Sequence, residues 1–80
     1  MIKITKKKIE NEIGHFTFEI LNDEYSGKTY NISLDLSEKY GDIIQTDSPK
    51  EMSLYRSQVA CAIDQYFGKD IPDIFYSETH

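Results

Sequence analysis

The chain has 80 residues, 39% hydrophobic and 29% charged, with a net charge of −5. That length fits a single domain, residues 1–80, with a thin core, because a chain this short buries only about 60% of its unfolded surface. The mixture excludes an intrinsically disordered chain, no run approaches the roughly 18 apolar residues of a membrane span, and the lone cysteine, Cys61, excludes an internal disulfide.

Charge is distributed unevenly. Residues 1–39 carry six lysines and seven acids, whereas residues 40–80 carry Lys50, Arg56 and Lys69 against seven acids. Phosphate binding needs clustered cations, so this balance disfavours nucleic acid and anionic membrane as main partners. Met1 is followed by Ile2-Lys3-Ile4 and the run Lys6-Lys7-Lys8, with no apolar stretch behind the lysines. That is not a secretory signal, and the chain reads as complete, natively started and cytoplasmic.

In chain order, Ile2 and Ile4 suggest a strand. The four-residue spacing of Ile9 and Ile13 would suit a helix, but Lys6, Lys7 and Lys8 would then sit at its positive end and Glu10 and Glu12 at its negative end. A strand with a turn near Glu10-Asn11-Glu12 is the better reading. Phe16, Phe18 and Ile20 alternate with polar residues, as do Tyr30, Ile32, Leu34 and Leu36, which predicts two strands of a sheet wet on one face. Residues 22–27 are turn material between them. Residues 37–41 read as a single helical turn closed by Gly41, and residues 42–46 as a short edge strand or a covering loop. A helix is predicted over 49–67, with Ser48 as N-cap, Pro49 at the first position, Glu51 completing a capping box, and Gly68 as the stop. The tail, with Ile71, Ile74, Phe75 and Tyr76, is apolar enough to pack.

At about 100° per residue, Met52, Tyr55, Val59, Ala62, Ile63 and Tyr66 share one helix face, which should dock on the sheet. The expected fold is therefore α+β: a small two-layer domain with a three-stranded antiparallel meander, four-stranded if residues 42–46 join it, covered by one long helix. Leu54 and Cys61, flanked by Gln58 and Gln65, form a second, uncharged stripe. The tail, a second copy or a foreign protein could cover it.

Catalytic chemistry finds little support. His15 and His80 lack partners at metal-ligand spacing, and Cys61 lies mid-helix near Asp64, away from the electropositive positions that activate thiols. The acid pairs Glu10/Glu12, Asp23/Glu24 and Asp70/Asp73 lie in turns, and no phosphate loop or nucleophile elbow occurs. A chain of this size also offers little room for a buried pocket. No enzyme, catalytic residue, cofactor or metal is expected.

The reading left is a small acidic protein-binding module. Its partner would carry a basic surface, met by Glu51, Asp64, Asp70 and Asp73 with Tyr76, and by the stripe of Leu54, Gln58, Cys61 and Gln65. A composition rich in Ile, Lys, Asn and Tyr suggests an AT-rich genome. An acidic protein of this size fits a phage- or mobile-element-encoded inhibitor of a host nucleic-acid-binding defence protein. The alternatives are a self-associating homodimeric adaptor and a weak nucleic-acid binder through Lys6–Lys8.

Overall fold

The computed structural model describes residues 1–21, 24–39 and 41–77. The expected turn at Asn22-Asp23, the Tyr40 part of the predicted single turn, and His80 lie outside those residues. Five strands, β1 (Ile2–Glu10), β2 (Ile13–Ile20), β3 (Thr29–Asp35), β4 (Ile43–Thr46) and β5 (Phe75–Ser77), form one antiparallel sheet in the order β4-β3-β2-β1-β5. One helix, α1 (Ser53–Asp64), is preceded by a 3-10 turn, Lys50–Met52.

The α+β class holds, and the strand number is corrected from three or four to five. Residues 42–46 supply an edge strand, as one of their two readings had it. The fifth strand comes from the tail. Phe75–Ser77 pairs with Ile2–Ile4 instead of lying across the helix stripe. Three residues behind a proline are too short for a periodic signal. What recruits them is the unpaired backbone of β1 together with the interior that Phe75 fills.

β1 and β2 meet in a two-residue turn with Asn11 at φ 50° and Glu12 at φ 65°. Both central residues are left-handed, the twist that closes a tight hairpin. A bulge at Thr5 interrupts the β1–β2 register between Ile4 and Lys6. The extra residue leaves Ile2 and Ile4 opposite Ile20 and Phe18, and brings Lys7 and Ile9 opposite Phe16 and Gly14. Because residues directly opposite share a face, Lys7 and Ile9 point to the helix side.

The core is Ile2, Ile4, Phe16, Phe18, Ile20, Ile32 and Leu34 from the sheet, Met52, Val59, Ala62 and Ile63 from the helical segment, and Phe75 from β5. Burial of each large aliphatic or aromatic side chain contributes about 1.5–3 kcal/mol. Tyr55 and Tyr66 lie at the boundary, edge-on to Tyr25 and Phe75.

The helix start differs from its expected cap. The Ser48 hydroxyl lies 2.9 Å from Thr46 Oγ1 and accepts from Arg56 Nε at 2.8 Å. Arg56 Nη2 also donates to the Ser48 carbonyl. Ser48 is buried in this contact, and no side-chain cap bond forms at either the 3-10 turn or α1. The arginine, one turn into the helix, outcompetes the local backbone for the same oxygen. At the other end α1 loosens into turns over 65–68, and Gly68 takes φ 76° as a stop residue should.

Candidate functional site: an acid-rimmed groove

The helix packs most closely against β1 and β5; Ile32 and Leu34 of β3 are still buried in the core, but between the C-terminal half of the helix and the ends of β3 and β4 the surface opens. A groove of about 610 Å³ lies there, within the size range of ligand pockets. Its apolar surface comes from four segments: Ile9 of β1, Leu34 and Leu36 at the end of β3, Ile43 of β4, and Ile63, Tyr66, Phe67 and Ile71 from α1 and the chain after it. Ile43 is 39% and Phe67 47% exposed.

Among the described residues, Asp35, Glu38, Asp42, Asp64 and Asp70 line this groove, against Lys7 and Lys69. Lys7 is already engaged. Its Nζ donates to the Ile71 carbonyl at 2.6 Å and pairs with Asp73 at 3.2 Å, which ties the chain after α1 to β1. Asp35 accepts from the Ser37 amide at 2.9 Å and the Ser37 hydroxyl at 2.6 Å. These bonds hold its carboxyl below the ordinary aspartate value. Gly41 shapes the same corner, since a Cβ there would overlap the Asp35 carbonyl.

The residues expected to contact a partner are dispersed. Cys61, Asp64 and Asp70 line the groove. Asp73 pairs with Lys7 beside it. Glu51, Leu54 and Gln65 lie exposed on the helical segment, Leu54 at 73%, and the described part of the tail does not cover it. Gln58 is buried, and its side-chain amide donates to the Ser77 carbonyl at 3.2 Å. It secures β5 and offers no outward surface. Tyr76 stands on β5 with Lys3 Nζ 5.5 Å from its ring centroid, apart from the groove. Sequence reasoning missed Ile9, Ile43 and Phe67. Each is an apolar residue left over once the two strand patterns and the helix face are filled, which marks it as unplaced but not as a neighbour of the others.

The lysine run divides between the two faces of the sheet. Lys7 turns inward, Lys6 is exposed, and Lys8 pairs with Glu10 at 2.9 Å, which raises the lysine pKa and lowers that of the glutamate. His15, on the same strand face as Thr17, has Nδ1 2.7 Å from Ser33 Oγ. No group of three or more His, Cys, Asp or Glu among the described residues is placed to hold a metal ion, and no described helix is long and apolar enough to cross a membrane. The chain matches no family model, no curated protein and no solved structure.

Proposed function

We propose that this chain is a small acidic protein-binding module whose working surface is the groove between α1 and the β3–β4 side of the sheet. One observation carries the reading: an apolar floor is combined with five lining carboxylates against two lysines, one of them already paired with Asp73. Such a surface suits an apolar segment flanked by basic residues. The apolar contacts supply affinity, and the carboxylates steer the encounter and fix its register. Proteins that grip nucleic acid present basic surfaces of this kind. By analogy of size and charge, a phage- or mobile-element-encoded inhibitor that occupies such a host surface is the role we favour.

Selection of short random peptides on the immobilised full chain at low salt tests the reading. Enrichment of sequences combining Lys or Arg with apolar residues is expected, with affinity that falls as salt rises and weakens in the double variant Asp64→Asn/Asp70→Asn. Enrichment without a basic bias, or binding indifferent to salt, removes it.

Leu54 supports a second reading. At 73% exposure it is the most exposed of the large hydrophobic residues among those described, and a second copy could cover it across a two-fold axis.

A further inference from the structure

The sheet ends differently on its two sides. On the β5 side, β5 covers β1 only at Ile2–Ile4, and the rest of that edge carries Lys6, Lys7 and Lys8, a common device against unwanted strand pairing. On the other side β4 is the last strand, pairing through Thr46, Gln45 and Ile43 with Ile32, Ser33 and Leu34, with a bulge that leaves Ile44 without a partner residue on β3. Its outer edge has no partner among the described residues. Its four residues, Ile43–Thr46, include neither a charge nor a proline, and Ile44 is 53% exposed. The edge adjoins the groove, because Ile43 of β4 and Asp42 just before it line the groove.

We infer that β4 is a docking edge for an extended segment of a basic partner. The segment adds a sixth strand to the sheet, its alternate side chains enter the groove over Ile43, and its flanking cations meet Asp42 and Asp47. The inference rests on the groove reading above and specifies the conformation of what the groove receives. Strand addition of this type draws affinity from main-chain hydrogen bonds and specificity from pockets for alternate side chains. Here edge and pocket are contiguous.

Charge decides against a second copy as the occupant. Antiparallel pairing of two β4 strands over their whole length sets Ile43 opposite Thr46, and therefore Asp42 of each copy opposite Asp47 of the other. Both aspartates are exposed, and like charges directly opposite are destabilising. The Asp47 carboxylate accepts from the Asn31 amide at 2.7 Å and from Asn31 Nδ2 at 2.9 Å, which holds it on the β3 side of its strand, and its negative charge still lies across from Asp42 of the other copy. A foreign strand with Lys or Arg at those two places turns the same pair of carboxylates from an obstacle into a register mark.

The test uses the peptides selected on the full chain. Strand addition predicts alternating apolar residues flanked by Lys or Arg, slowed amide exchange within Ile43–Thr46 on binding of the tightest peptide, and roughly tenfold weaker binding to Ile44→Lys, which sets a cation on the edge beside the peptide's own. Thermal melting of that variant near the wild-type temperature shows that the loss is not one of folding. If the selected peptides carry basic residues at helical spacing and β4 exchange is unchanged, the strand is overturned while the acidic groove stands. If no basic bias appears, both fall. If the chain alone sediments as a dimer that Ile44→Lys dissociates, the edge belongs to a second copy and the inference fails.

Discussion

Gln58 sits on the helix between the boundary residue Tyr55 and the core position Ala62, and its side chain reaches the last described residue of the chain, Ser77. A buried amide must find a partner, and here the partner is a carbonyl that β5 brings across the sheet. Gln58→Ala leaves that carbonyl without its donor and should cost about 1–2 kcal/mol, read by urea denaturation, with faster amide exchange in β5 than elsewhere. Gln65→Ala, on the exposed side of the same helix, should change stability by no more than about 0.5 kcal/mol. Equal effects of the two would refute this division of roles. Asp35 gives a second single-residue test. The Ser37 hydroxyl and amide favour its charged form, so its folded pKa lies below the ordinary aspartate value of 3.8. The sign follows: these bonds contribute stability above the unfolded pKa, and the contribution is lost as pH falls through the lowered folded one. Carboxyl NMR should show Asp35 titrating below a free aspartate, and Ser37→Ala should return it part of the way, because the backbone donor remains.

The β1–β2 hairpin shows how an element can carry a local cost that its neighbours offset. Asn tolerates the left-handed region, but Glu12 has no such excuse, and a non-glycine residue there costs about 1–2 kcal/mol. Its carbonyl accepts from the Leu36 amide at 2.7 Å, which joins the hairpin to the end of β3 and favours keeping this conformation. Glu12→Gly creates the preferred Asn-Gly turn without touching that bond. It should stabilise the fold by about 0.5–1 kcal/mol, visible as a higher melting temperature; a lower one would mean that the Glu12 side chain is used elsewhere. The strands of this hairpin and β3 were legible because Phe16, Phe18, Ile20, Ile32 and Leu34 keep strict alternation and one face is wet. The helix body was legible because Met52, Val59, Ala62 and Ile63 share an arc. What escaped were features set by partners distant in sequence. Arg56 takes the Ser48 hydroxyl that should have capped the helix, and β1 recruits a three-residue tail too short to announce itself. Of the groove, Cys61, Asp64 and Asp70 were named among the expected contacts. Its floor was not, because Ile9, Leu36, Ile43 and Phe67 meet only after the sheet has closed and the helix has settled toward the β1–β5 side.

At the scale of the molecule, the placement of the helix links stability to the surface available for binding. By leaning on β1 and β5 it covers Ile2, Ile4 and Phe75 most closely; Ile32 and Leu34 of β3 stay within the core, and the part left open as groove and edge is β4 with the end of β3. A domain of 80 residues has total stability of only about 4–12 kcal/mol at the usual 0.05–0.15 kcal/mol per residue, so the covered part cannot spare much. β5 concentrates that dependence. It supplies Phe75, edge-on to Tyr66 at 5.2 Å between ring centroids, the pairing to Ile2–Ile4, and the acceptor for Gln58. Ending the chain after Ile74 removes all three. Loss of a buried phenylalanine alone costs about 3–5 kcal/mol, a large part of the total, and the truncation also bares the Ile2–Ile4 edge of β1, where Lys3 stands between two isoleucines. The shortened chain should therefore melt far below the full one, or self-associate through the exposed Ile2–Ile4 edge, as circular dichroism and sedimentation would show. Phe75→Ala in the full chain separates the causes, since it empties the core while leaving the ladder in place: it should lower stability without promoting association. A truncated chain that stays monomeric and melts with the wild type would mean that β5 adds nothing to the fold, and that the helix holds its position by its contacts with β1 alone.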